Sequence, residues 1–319
     1  MRALCVTGLG GPPDLKVLDI PSPMRGADET LVEVRAAAPA FPDLLMSQGK
    51  YQVKPDLPFS PGSDFSGIIL ETSSSSEFSP GDRVAGCLSY GAAAEILSVP
   101  DCRLYPLPAH ISFAEGAAIP MNYLTAHFSL VSRGGLACGD WVMVLGATGG
   151  VGHASIQVAA GLGAKVIAVV SSAERAAVAA AAGAHHVVLR DEMPGAVKAL
   201  TGGRGVDIVI DVVGGDITNV LRTLAPLGRV MVVGFASGEI PTVKVNRLLL
   251  TNTDLRGVES DYLWRHGLSR KVWNELMGLA EEGFIKPSVR EWGSLHDYGS
   301  ALESLSARSL VGRAVLAIP

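Results

Sequence analysis

Residues 141–159 read WVMVLGATGGVGHASIQVA. The run Trp141–Leu145 is apolar without alternation, the pattern of a strand buried on both faces. It passes directly into a glycine-rich turn and then into a stretch of helical character. In this reading Gly149 makes the tight turn and Gly152 lets the helix pack closely on the strand. The free backbone N–H groups at the helix start, those of Gly150 and Val151 among them, receive a pyrophosphate. Ala147 stands where the usual pattern has its first glycine. A glycine pattern alone is weak, because ordinary turns produce many such matches; here strand, turn, helix and next strand follow in order. The stretch predicts a dinucleotide-binding turn.

Working outward, KVIAVV (165–170), HVVL (186–189), VDIVIDVV (206–213) and RVMVVG (229–234) repeat the continuous apolar pattern, separated by alanine- or leucine-rich helical stretches. Parallel strands need crossover helices that cover both faces of a sheet, so residues 121–258 are read as a doubly wound α/β domain. Residues 1–120 have a different rhythm. LVEVRAAA, FSGIILE, DRVAGCL and AAEILSV are short β-like stretches separated by Pro, Gly and Ser, which predicts a twisted, partly barrel-like β domain. TSSSSEFSPGD (72–82) is read as an exposed loop. Residues 259–319 carry a helix-like VWNELMGLAEEG and a β-like AVLAIP, and are expected to return to the first domain.

With 319 residues the chain exceeds what one core usually serves, consistent with this division. Hydrophobic residues at 48% and charged residues at 18% describe a globular protein with a large core. A net charge of −5 without a basic cluster argues against nucleic acid as a partner. No apolar run reaches the roughly 20 residues that span a bilayer. Cys5, Cys87, Cys102 and Cys138 are far apart, with no CxxC pair, so neither a disulfide framework nor a cysteine-rich zinc site is suggested. The expected location is the cytoplasm.

The tip of the strand after the phosphate turn selects the cofactor. An Asp or Glu there accepts hydrogen bonds from both ribose hydroxyls of NAD. KVIAVV instead gives way to Ser171, Ser172, Ala173, Glu174 and Arg175. Serine donors and an arginine suit a 2′-phosphate, so NADPH is the expected cofactor. The alternative is that Ser171 only caps a helix and Arg175 is a solvated surface charge.

GATGGVG, PFSPGSDFSGIILE, MNYLTAH, DVVGGD and LGRVMVVGFASG occur in the order found in zinc-free quinone oxidoreductases of the medium-chain dehydrogenase/reductase superfamily, which the chain resembles over nearly its whole length. The resemblance implies a GroES-like β domain built from both chain ends, a Rossmann domain between them, and a homodimer joined through the cofactor domains. Zinc-dependent alcohol dehydrogenases of the superfamily carry a His-Glu pair where this chain has Ser63 and Asp64. AAPAFPD, near the position of their thiolate ligand, has no cysteine. No metal is therefore expected. Without a Lewis acid, the suitable acceptor is one already prone to take hydride, a quinone or an α,β-unsaturated carbonyl, whose product anion hydrogen-bond donors can stabilise.

The same resemblance nominates residues. Tyr51 matches a proton donor or carbonyl anchor of related enoyl-thioester reductases, and a tyrosine with a pKa of about 10 keeps its proton at neutral pH. Asp43 matches a position near the nicotinamide, with a helix cap as the other reading. Asn122, Tyr123 and Thr125 match a helix start that approaches the nicotinamide; the alternative makes Asn122 a cap and Tyr123 a packing residue. Tyr51, Asp43 and Tyr123 are the catalytic candidates. Arg190 falls where relatives have a tyrosine near the adenine ribose, Arg308 resembles an arginine that reaches the 2′-phosphate, and Gly234, Phe235 and Ala236 match a loop passing the nicotinamide. Ala40 replaces an asparagine frequent in the family, which removes an amide donor. His153, His185 and His186 are read as structural.

Three functions follow: an NADPH reductase of quinones, a reductase of alkenals, enones or enoyl thioesters, and a non-catalytic NADPH-binding protein like some lens crystallins. Thioester carriers call for clustered basic residues, and those of the first section, Lys50, Lys54 and Arg83 among them, are scattered.

Overall fold

The computed structural model describes all 319 residues, which form two compact units: Met1–Met121 with Pro287–Pro319, and Asn122–Lys286.

The second unit is built on a six-stranded parallel sheet. Its strands lie in the order His186–Leu189, Lys165–Val170, Trp141–Leu145, Val206–Asp211, Leu224–Val232 and Asp254–Gly257. The chain therefore starts in the middle, winds outward to one edge, and returns to wind toward the other. The order reverses beside Trp141–Leu145, and ligands of such sheets bind at the carboxyl ends of the strands flanking that reversal. Met143, Leu145, Ile167, Val169, Val209 and Val230 fill one core under the sheet, none more than 3% exposed. Burying each aliphatic side chain of this kind stabilises by about 1.5–3 kcal/mol.

The predicted return to the first unit at residue 259 is corrected: it comes at Pro287. Between these positions lies the helix Ser269–Glu281, which buries Val272, Trp273, Leu276 and Leu279 on one stripe. This stripe belongs to the second unit, where Leu279 and Phe284 pack over Gly161 at the end of the helix Gly150–Gly161. A side chain at Gly161 would crowd both. Helical periodicity shows that a stripe is buried, but it does not say which core receives it.

In the first unit a seven-stranded sheet combines both ends of the chain. Glu29–Ala38, Asp64–Glu71, Arg83–Cys87 and Leu104–Pro106 pair antiparallel in that order, and Ile96–Pro100 also pairs with Glu29–Ala38. The last strand, Arg313–Ala317, joins the other edge, with Leu316 opposite Ala37, and carries Val289–Glu291 outside it. The core contains Val32, Val34, Phe65, Val84, Val99 and Leu104 together with Tyr298, Leu302 and Leu316 from the C-terminal segment. Residues 72–82 form a turn region, with Phe78 tucked into this core.

A buried ion pair ties the terminal strand to the middle of the sheet. Arg313 donates through Nη2 to Asp64 Oδ2 at 2.6 Å and to the Ala38 carbonyl at 3.1 Å. Asp64 Oδ1 accepts the Met121 N–H at 3.0 Å. Asp64 is fully buried, and desolvation raises its pKa from 3.8 to about 6 against the opposing pull of Arg313.

Two outcomes follow from this packing. Leu276→Ala removes a side chain with no exposed surface and is expected to lower the unfolding free energy by about 2–5 kcal/mol, measured by denaturant titration. Loss well below this range would mean that the helix is loosely held. For Asp64, a folded value near 6 against 3.8 unfolded means that folding takes up a proton between these values. The side chain's contribution is full below pH 3.8 and is lost as pH rises through 6. The stability of the wild type relative to Asp64→Asn should therefore fall across that window; a flat or rising difference would refute the assignment.

Candidate active site

At the carboxyl end of Trp141–Leu145 the chain reverses through Gly146, whose φ is 64°. A Cβ at this position would lie 2.7 Å from a methyl group of Val212 and 3.0 Å from one of Val213, so neither the conformation nor the space admits a side chain. The Gly149 N–H then donates to the Gly146 carbonyl at 3.0 Å. Gly149 itself is extended, φ −85° and ψ 171°, and precedes the helix Gly150–Gly161. The tight-turn role expected of Gly149 thus belongs to Gly146, while Gly149 closes the turn and opens the helix. The signal was present in the sequence, since Gly146 directly follows the strand.

Gly152 has the role predicted for it. A Cβ there would overlap the Gly146 carbonyl oxygen and fall 3.1 Å from the Ala147 Cα. Helix and strand approach so closely that only hydrogen fits. Gly150 faces the side chain of Asn122, whose Oδ1 would lie 2.7 Å from a Cβ. Gly150, Val151 and Gly152 are the first three residues of the helix, whose N–H groups have no intrahelical acceptor. Ala147 does not join them: its N–H points to the Val169 carbonyl at 3.4 Å, in the sheet.

Around this turn the second unit gathers several predicted residues. Arg175 reaches back from the next strand tip and donates to Thr148 Oγ1 at 2.9 Å, so it is no detached surface charge. Ser171 is exposed and half-buried Ser172 is hydrogen-bonded to the Glu174 side chain, which lowers the Glu174 pKa. Arg190, Asp191, Met193, Leu145, Asp216 and Asn219 line a cleft of about 230 Å³. Asp211, unremarked in the sequence, shapes the neighbouring loop: its Oδ1 accepts the N–H groups of Val213 and Gly214, both at 2.9 Å. The Gly234–Ala236 loop lies along the same segment, with Gly234 donating to the Asp211 carbonyl and Ala236 to that of Val212.

The helix Pro120–His127 holds Asn122, Tyr123 and Thr125, each at most 7% exposed. Asn122 is its third residue, not its cap. Thr125 donates to Ser260 Oγ at 3.0 Å. Tyr123 is corrected as a catalytic candidate: it is 2% exposed, its phenol donates to Gln157 Oε1 at 2.7 Å, and burial holds its proton far above the usual tyrosine range. It is the packing residue of the alternative reading. His153, equally buried, lies 3.1 Å from the Gln157 amide, and His185 accepts the Val166 N–H; both are structural.

In the first unit Asp43 is likewise corrected. Its carboxylate has no exposed surface and accepts three hydrogen bonds, from the N–H of Ala40 at 2.7 Å, the N–H of Gly62 at 3.1 Å and the hydroxyl of Tyr298 at 2.9 Å. A group so occupied anchors loops and cannot also serve a substrate. Tyr51 is half-buried against the small cluster of Val6, Met46 and Phe59. Arg308 follows the helix Tyr298–Ser306 with φ 55°, in the first unit, away in sequence from the phosphate turn. Asp64 is committed to Arg313, and the neighbouring Ser63 hydroxyl is buried without a hydrogen-bond partner. No three His, Cys, Asp or Glu side chains converge on a position where a metal could sit.

Known proteins share this arrangement. Residues 26–109 match the family model of the alcohol dehydrogenase GroES-like domain, and residues 150–281 that described as zinc-binding dehydrogenase. Quinone oxidoreductase-like protein 2 of Bos taurus is 38% identical over 301 residues, covering 91% of this chain and 85% of the relative. A probable oxidoreductase from Mycobacterium abscessus is 37% identical with a TM-score of 0.92, covering 100% of this chain and 99% of the other. Escherichia coli quinone oxidoreductase, solved in complex with NADPH, is 28% identical with a TM-score of 0.91 over the full length of both chains. Sequence and fold agree along the whole polypeptide, and the chain belongs to the quinone oxidoreductase family of the medium-chain dehydrogenase/reductase superfamily.

Proposed function

We propose that the protein is a zinc-independent, NADPH-dependent reductase that delivers hydride to a quinone or another α,β-unsaturated carbonyl. The observation that carries this reading is the Gly146–Gly149–Gly152 turn at the reversal point of the sheet. It presents the N–H groups of Gly150, Val151 and Gly152 and the positive end of a 12-residue helix to a diphosphate. A diphosphate suits this turn because its glycines let helix and strand approach closely and leave the helix start without side chains at Gly150 and Gly152. NADPH, when bound, supplies the hydride.

The remaining work falls to the chain. Arg175, with Ser171 beside it, favours a 2′-phosphate, although Glu174 on the same tip is a competing negative charge. Arg190 and the cleft it lines serve the adenosine side. Asn122, Thr125 and the Gly234–Phe235–Ala236 loop orient the nicotinamide. Tyr51 gives its phenolic proton to the oxygen of the reduced acceptor. Tyr123 and Asp43 are fully buried in the packing, whereas Tyr51 keeps part of its surface exposed. Zinc independence is supported by the donors themselves: serine and an arginine-paired aspartate stand where a ligand set would begin. Cytoplasmic location and a homodimer joined through the cofactor units complete the reading; no helix is long and apolar enough to cross a membrane.

Steady-state oxidation of NADPH with a quinone, an alkenal and an enoyl thioester tests the activity. Turnover is expected with the quinone or alkenal and a lower KM for NADPH than for NADH; equal KM values would remove the cofactor assignment. No oxidation despite cofactor binding would mean a non-catalytic protein. Tyr51→Phe should lower kcat by about 10²-fold with the KM for NADPH unchanged, and unchanged turnover would eliminate its role. Gly152→Ala should raise the KM for NADPH at least about tenfold, because the turn must open to admit the methyl group. Unaltered binding would disconnect the turn from the cofactor.

A further inference from the structure

The chain passes between the two units twice, at Met121–Asn122 and at Lys286–Pro287. One buried side chain holds both passages. Gln157, 4% exposed, projects from the helix that begins at the phosphate turn. Its Oε1 accepts the phenol of Tyr123 at 2.7 Å and the N–H of Lys286 at 3.0 Å. Its Nε2 donates to the Lys286 carbonyl at 2.9 Å and lies 3.1 Å from His153 Nε2.

Lys286 lies outside any helix or strand, so its backbone donor and acceptor must find partners elsewhere. The Gln157 amide provides both, as a neighbouring strand would. Neither glutamate, with no donor, nor leucine, with neither group, could replace it. His153 packs against the same group, its Nε2 3.1 Å from the Gln157 amide nitrogen, and burial lowers the pKa of its ring. Tyr123 stands one residue beyond the first passage, and Asn122 before it meets Gly150 of the same helix.

We propose that Gln157 is a positioning residue, which pins the Tyr123 and Lys286 segments to the cofactor helix and so steadies Asn122 and Thr125, which flank Tyr123. The kinetic part of this inference rests on the reductase reading; the structural part does not.

The test compares full-length wild type, Gln157→Leu, Tyr123→Phe and, as a control for general destabilisation, Val197→Ala, whose side chain is buried in the sheet core. Hydrogen exchange around Lys286 should rise about tenfold in Gln157→Leu and less in Tyr123→Phe, which removes only one bond to the amide. In the same variant kcat should fall on the order of tenfold while the KM for NADPH stays within about twofold, because the phosphate turn is untouched. Val197→Ala should change neither readout at a comparable loss of Tm. Wild-type exchange at Lys286 in Gln157→Leu, or the same pattern in Val197→Ala, would overturn the proposal. If the wild type fails to oxidise NADPH with the quinone, the alkenal and the enoyl thioester alike, the reductase reading fails, and exchange alone decides the role of Gln157.

Discussion

The contact between Gly152 and the carbonyl of Gly146 sets the geometry on which the rest of the second unit depends. It brings the start of a helix against the strand end, so the N–H groups of Gly150 to Gly152, which have no intrahelical acceptor, lie at the carboxyl end of the strand. The same approach places Gly146 under Val212 and Val213, which brings the loop after Val206–Asp211 to the site. Asp211 holds that loop, and the loop in turn receives the Gly234–Ala236 segment. One constraint thus propagates across three strand ends.

Much of this was legible in the sequence, because buried parallel strands leave an unmistakable mark. Each needs a continuous apolar run, and five such runs separated by helices permit few arrangements. The glycine-rich stretch announced the turn, but spacing alone could not say which glycine takes the left-handed conformation; that depends on Val212 and Val213, 66 or more residues away. The Ala147 N–H, next in the motif, is directed to the Val169 carbonyl, a partner that the motif alone does not reveal.

Polar residues were the least legible. Asp43, Tyr123 and Asp64 have side chains suited to acid–base chemistry, and nothing local distinguishes a working carboxylate from a saturated one. Their partners are remote: Tyr298 for Asp43, Gln157 for Tyr123, Arg313 for Asp64. Burial of such groups is tolerated only with full hydrogen bonding, so each becomes a structural anchor. The extent of the second unit was obscured in the same way, because the apolar stripe of Ser269–Glu281 could serve either core until its contact with the helix Gly150–Gly161 was known.

The central claim is that the N–H groups after the Gly146 turn receive the diphosphate of NADPH. Amide NMR during titration of the wild-type protein with NADPH tests it most directly. The account predicts saturable shifts concentrated at Gly150, Val151 and Gly152. Saturable binding that leaves these three amides unmoved, or no binding up to millimolar NADPH, would contradict it.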